Sequence, residues 1–261
     1  MNIFAIFGNP VAHSKSPYMH NNALDRLGLK GCYKKFLVNE AKEIKEIIVS
    51  LDIKGANITV PFKEDILPYL DGIDSFAKEA NAVNTVIQTD GKLYGYNTDA
   101  KGFYKTLPFS IKKALILGAG GSAKAIALYL KQRGMKVSVL NRSDARKGFF
   151  EDMSIPFFTE DEFSSEAFDT VINSTSSSLN DSGVPFERVL KSVFAFKPIA
   201  IDIMYGKPSP FLELASKFGC EVRDGKDMLI NQGAYAFELF FDGRYTFEQV
   251  GPFFREGFLL A

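Results

Sequence analysis

Three polar clusters stand at the ends of short apolar runs: His13-Ser14-Lys15-Ser16-Pro17, the stretch NITVPFK from Asn57 to Lys63, and Asn97-Thr98-Asp99. Loops at the C-terminal ends of strands are where an open α/β sheet gathers its ligand contacts. Ser14, Ser16, Asn57, Thr59 and Lys63 all fall on such an edge. With Asp99 they offer hydroxyls, an amide, an ammonium and a carboxylate, a donor set suited to a small, heavily hydroxylated molecule.

A fourth stretch works through its backbone. Gly118-Ala119-Gly120-Gly121-Ser122-Ala123 follows an apolar run and opens a helical pattern. Here Gly118 permits a tight turn, Gly120 leaves room for a pyrophosphate, and Ala123 lets helix and strand approach closely. The free amides and partial positive charge of the helix N-terminus suit that anion. An NAD site usually carries an acidic residue about 20 positions further on. This chain has Asn141-Arg142-Ser143 there, and a guanidinium favours a 2′-phosphate, so NADP is the expected cofactor.

Short apolar runs alternating with helical patterns must position these residues, which predicts an α/β fold with largely parallel sheets. Strands are expected at 3–8, 33–38, 56–60 and 85–88, with a hairpin through Asp90-Gly91, and helices at 18–27, 41–51, 63–70 and 75–81. A strand-turn-helix-strand unit runs from Lys112 to Arg142, and further strands are expected at 170–173, 199–203 and 221–223. The expected architecture is an N-terminal α/β substrate-binding domain, a Rossmann-type NADP-binding domain, and C-terminal helices packing back on the first. The expected boundaries are 1–100 with 225–261 for the first domain and 101–224 for the second, with the active site in a cleft that closes about hinges near Lys101 and Gly225.

Composition narrows the function classes. Lys plus Arg and Asp plus Glu are equal at 31 each, so no overall positive field exists to hold nucleic acid or an anionic membrane. Two cysteines and two histidines without ligand spacing make a metal site unexpected. The N-terminus lacks a basic leader, and no run approaches the roughly 20 apolar residues of a membrane span. A cytoplasmic location is the expectation, with a monomer or a homodimer as the assembly.

Each polar residue also has a structural reading: Ser14 and Ser16 as caps of the next helix, Asp99 as a cap near Ala100, Lys63 as a solvated lysine. The set as a whole resembles the shikimate dehydrogenases. The resemblance runs through HSKSP, NITVPFK, AVNT from Ala82, GYNTDAKGF from Gly95, GAGGSA, NRS, DIMYGKPSPF from Asp202 and DMLINQGAYAFELF from Asp227. It implies reversible, NADPH-dependent reduction of 3-dehydroshikimate to shikimate, within the pathway to chorismate and the aromatic amino acids.

The resemblance also implies roles. Ser14 and Ser16 would receive the substrate carboxylate with Tyr205 nearby; Thr59, Asn84 and Gln232 would meet ring hydroxyls, with Asn57 supporting them. Lys63 and Asp99 would be the catalytic pair, because hydride addition to a ketone leaves charge on oxygen that a nearby donor must neutralise. Gly118, Ala119, Gly120, Gly121, Ser122 and Ala123 would hold the pyrophosphate, and Asn141, Arg142 and Ser143 the adenosine phosphate. Asn81 and Ser178 stand where the family pattern has glycine, and Phe62 where histidine is common. Rival readings are a quinate/shikimate dehydrogenase of broader substrate or NAD use, a methylenetetrahydrofolate dehydrogenase, and a non-catalytic NADP sensor.

Overall fold

The computed structural model describes residues 1–175, 177, 183–206 and 209–261. The chain forms two compact units, Met1–Lys105 with Leu229–Ala261, and Thr106–Met228.

Unit 1 opens with β1 (Asn2–Gly8), α1 (Ser16–Arg26), β2 (Gly31–Leu37), α2 (Ala41–Ser50) and β3 (Ile53–Ile58). It continues with β4 (Gly72–Ile73), α3 (Ser75–Glu79), β5 (Thr85–Thr89), β6 (Lys92–Tyr96) and α4 (Asp99–Tyr104). The sheet order is β2-β1-β3-β5-β6-β4. β1 is parallel to β2 and β3, whereas β5 is antiparallel to both β3 and β6. β4 is parallel to β6, so the sheets are largely parallel as expected, the exception being β5, and the expected hairpin forms where Asp90 and Gly91, at φ 51° and 75°, turn β5 directly into β6.

The helix expected at 63–70 does not form. Only Leu67–Tyr69 is a short 3₁₀ turn. Pro68 lacks the amide that a helix would pair with Glu64 O, and that carbonyl accepts from Leu67 N instead. The Lys63 carbonyl is taken by Val83 N at 2.8 Å. Phe62, Ile66, Ile44, Ile48, Phe7 and Ile58 share one buried apolar cluster, so this segment is packed without being helical.

Unit 2 contains β7 (Lys113–Leu117), α5 (Gly121–Gln132), β8 (Lys136–Leu140), α6 (Lys147–Asp152), β9 (Phe157–Phe158), β10 (Thr170–Asn173), α7 (Glu187–Phe194), β11 (Ile199–Asp202), α8 (Pro210–Lys217) and β12 (Val222–Arg223). Every pairing in its sheet is parallel. The order β9-β8-β7-β10-β11-β12 is the dinucleotide-binding order, with its switch point between β7 and β10.

The chain then enters α9 (Lys226–Phe240) and ends with α10 (Phe247–Leu259). Within unit 1, α10 packs on α1 and Phe240 of α9 stacks on Phe4 of β1 at 5.0 Å. α4 meets α9 at Gly102, where an added Cβ would lie 2.6 Å from the Gln232 amide nitrogen. That close approach carries Gln232 to the end of the sheet.

Candidate active site

The register of unit 1 explains which residues meet. Asn57 on β3 pairs with Thr85 on β5, and Thr85 pairs with Tyr96 on β6. Because both pairings are antiparallel, the end of β3, the start of β5 and the end of β6 share one edge of the sheet. Residues 57–63, 84–85 and 97–99 therefore converge there.

At that edge Lys63 Nζ lies 2.5 Å from Asp99 Oδ2, with the two side chains 14% and 7% exposed. Asp99 Oδ1 accepts from Asn84 Nδ2 at 2.8 Å. Removal from bulk water strengthens these charge-assisted contacts. Asn84 Nδ2 also lies 3.2 Å from Gln232 Oε1, and Thr98 N donates to Asn84 Oδ1 at 2.7 Å. Asp99 sits in the first turn of α4 with Thr98 as N-cap, so the capping reading of Asp99 is replaced by the Lys63 and Asn84 contacts.

Asn57 Nδ2 donates to the Asn84 carbonyl at 3.3 Å and to Thr85 Oγ1 at 3.2 Å. Thr59 lies just beyond β3, half-buried, its amide bonded to Phe7 O. Ser14 and Ser16 are both buried, and Ser14 Oγ accepts from Ser16 N at 3.3 Å. The helix α1 begins at Ser16 with Lys15 as N-cap and no side-chain capping bond, so neither serine is a conventional cap.

Three residues of this network were missed by sequence reasoning: Thr85, Thr98 and Tyr33, whose hydroxyl donates to Asn57 Oδ1 at 2.7 Å. Thr85 and Thr98 lie inside the motifs AVNT and NTD, but only the strand register reveals their contacts.

Two departures from the family pattern have a structural account. Asn81 adopts φ 50°, the left-handed region in which glycine is usual and asparagine is tolerated. Phe62 is 3% exposed within the apolar cluster. Ser178 lies outside the described residues.

In unit 2 the glycine turn follows β7 at the switch point. Gly118 adopts φ 96°, and an added Cβ would lie 3.1 Å from Ser174 Oγ and from Thr175 Cγ2, both in the loop after β10. Gly120 is the N-cap of α5, makes no side-chain cap bond, and faces open space where a Cβ would stand. The N-terminal amides of this helix and the room beside Gly120 fit a pyrophosphate. Beyond β8, Asn141 Nδ2 donates to Ser143 O at 2.9 Å, and Arg142 is exposed. Arg146, four positions on, donates from NH1 to Ala119 O at 3.1 Å. Sequence reasoning missed this second guanidinium beside the glycine turn, although the spacing in NRSDAR was visible.

Tyr205 lies in the loop after β11, in unit 2, and is half-buried. At the end of β11, Asp202, fully buried, accepts from Asn173 Nδ2, Ser209 Oγ and Met204 N at 3.0, 2.6 and 2.9 Å. Among the described residues no helix is long and apolar enough to cross a membrane.

Comparison with known proteins brings these features together. Residues 6–86 match the family model for the shikimate dehydrogenase substrate binding domain. The chain is 42% identical to a shikimate dehydrogenase (NADP(+)) of Helicobacter hepaticus over 94% of this chain and 93% of that one. It is 45% identical to one from Helicobacter pylori over 91% of each. A crystal structure of the shikimate 5-dehydrogenase of Thermus thermophilus, in complex with NADP(H) and shikimate, is similar with a TM-score of 0.84 at 34% identity, covering 98% of this chain and 100% of that one. Identity of 42% and 45% sustained over nearly whole lengths, on a dinucleotide-type sheet and a partly buried lysine–aspartate pair, establishes that the chain belongs to the shikimate dehydrogenase family.

Proposed function

We propose that this protein catalyses the reversible, NADPH-dependent reduction of 3-dehydroshikimate to shikimate, with Lys63 handling the proton. The observation that carries this reading is the Lys63–Asp99 contact at 2.5 Å, braced by Asn84. It brings an ammonium, a carboxylate and a side-chain amide together on one sheet edge, which suits a proton donor, its anchor and a ring-hydroxyl partner.

NADPH, when bound, supplies the hydride to the carbonyl carbon. The electron pair of the carbonyl π bond then moves to oxygen, and the Lys63 ammonium donates its proton there, forming the hydroxyl. In the oxidation direction Lys63 takes that proton back. Asp99 holds the ammonium in place. Asn84 Nδ2 and the Gln232 amide meet ring hydroxyls, Thr59 adds a hydroxyl at the strand exit, and Asn57 supports this shell. Ser14 and Ser16 receive the carboxylate through hydroxyls that burial keeps from competing water, and Tyr205 is assigned to the same carboxylate. Gly118 to Ala123 would hold the pyrophosphate, and Asn141, Arg142 and Ser143, joined by Arg146, the adenosine 2′-phosphate. Unit 1 is thus read as the substrate-binding domain and unit 2 as the NADP-binding domain.

Two free cysteines, Cys32 and Cys220, agree with a reducing compartment, and the reading places the protein in the cytoplasm, as a monomer or homodimer.

The test is nicotinamide absorbance on mixing the protein with shikimate or quinate and with NADP or NAD. Reduction of NADP by shikimate well ahead of the other three pairings is expected. Equal rates with quinate or with NAD would replace the assignment by a broader quinate/shikimate dehydrogenase.

A further inference from the structure

Behind the proposed catalytic pair lies a run of buried side chains through which a continuous line of donors leads to Asp99. Tyr33, on β2 and 2% exposed, donates its phenol hydrogen to Asn57 Oδ1 at 2.7 Å. Asn57 donates from Nδ2 to Thr85 Oγ1 at 3.2 Å. Thr85, fully buried, has one hydroxyl hydrogen to give, with Asn84 Oδ1 and Thr98 Oγ1 each 3.2 Å away, and Thr98 Oγ1 in turn lies 3.3 Å from Asn84 Oδ1. Asn84 donates from Nδ2 to Asp99 Oδ1, and Asp99 Oδ2 faces Lys63. Two backbone groups fix the amide orientations: the Asn84 carbonyl requires a donor from Asn57, and the Thr98 amide requires an acceptor on Asn84.

We infer that Tyr33 and Thr85 are positioning residues for the reaction, the far end of a one-way hydrogen-bond relay, Tyr33 to Asn57 to Thr85 to Asn84 to Asp99, that holds the carboxylate against Lys63. The inference rests on the reading of Lys63 and Asp99 as the catalytic pair. Hydrogen bonds that run in one direction polarise one another, and in a dry interior the carboxylate at the end draws on the whole chain. Tyr33 is itself clamped: its ring stacks on His20 with centroids 4.1 Å apart and planes 12° from parallel, and its backbone amide and carbonyl are both bonded to the Asn21 side chain. The relay therefore starts from a fixed point in the core.

The experiment is a double-mutant cycle in kcat and KM for shikimate, using Tyr33→Phe, Thr85→Val and Asp99→Asn singly and Tyr33→Phe and Thr85→Val each combined with Asp99→Asn. Tyr33→Phe keeps the stacked ring, and Thr85→Val keeps the shape. Each is expected to lower kcat about fivefold, the equivalent of one hydrogen bond, with KM little changed. Because both act through Asp99, each is expected to have no further effect in the Asp99→Asn background. Additive losses, or a rise in KM with kcat intact, would overturn the relay while leaving the catalytic pair standing. Unimpaired turnover by Asp99→Asn alone would instead overturn the catalytic reading on which the relay rests. Tyr33→Phe carries the same test should Thr85→Val fail to fold.

Discussion

Lys63 is the side chain on which turnover is expected to depend most. Lys63→Ala removes the proton donor, and kcat should fall about a hundredfold or more, measured by steady-state oxidation of shikimate; a retained kcat with raised KM would leave Lys63 a binding residue only. Arg142 makes a different prediction. Arg142→Ala should weaken NADP at least tenfold while changing NAD little, since only the 2′-phosphate needs the charge; titration of both nucleotides reads the difference. His20 bears on stability. It is fully buried among Tyr33, Phe237, Phe240 and Phe254 with neither ring nitrogen hydrogen-bonded, and burial pushes the imidazole down to about 3. The unfolded chain takes up this proton below about pH 6.5 while the folded chain resists it. The stabilisation is thus complete above pH 6.5 and is lost progressively toward pH 3. Between pH 7 and pH 5 the wild type should lose about 2 kcal/mol more than His20→Phe in urea unfolding.

Among the elements, the approach of α4 to α9 decides where Gln232 stands. Alanine is normally the better helix former by about 1 kcal/mol, so Gly102→Ala would stabilise an isolated α4. In the folded unit its Cβ would sit 2.6 Å from the Gln232 backbone nitrogen, and backbone cannot give way as a flexible side chain can. Overpacking should prevail, costing about 1–3 kcal/mol. Gly102→Ala should lower the midpoint of thermal unfolding and raise KM for shikimate. The hairpin of β5 and β6 plays the complementary part: it returns Asn97-Thr98-Asp99 to the edge where β3 delivers Lys63.

For the whole molecule, two units with separate apolar clusters imply that the two ligands protect different parts of the chain. Hydrogen exchange should slow around 57–63, 84–99 and 229–235 on adding shikimate, and around 118–124 and 141–146 on adding NADP. Each ligand at about 100 times its Kd should add roughly 2.7 kcal/mol to the unit that binds it. Shikimate protection confined to unit 2 would reverse the assignment of the two units.

Much of this protein was legible in the sequence because it depends on local rules. The glycine turn, the missing acid after β8, the Asp90-Gly91 hairpin and the polar residues at strand exits are each written within a few neighbouring positions. Residue types alone pointed to a hydroxylated substrate and a phosphorylated dinucleotide. The tertiary structure decided what depends on pairing between distant segments. The antiparallel register of β3, β5 and β6 brings Asn57, Thr85 and Asp99 to one edge, and no local pattern specifies which strand lies beside which. Tyr33 reads in the chain as one more aromatic in a strand, yet β2 places its hydroxyl against Asn57. The turns at 63–70 replaced a helix because Pro68 withholds an amide and Val83 claims the Lys63 carbonyl, a competition settled only when the sheet has formed.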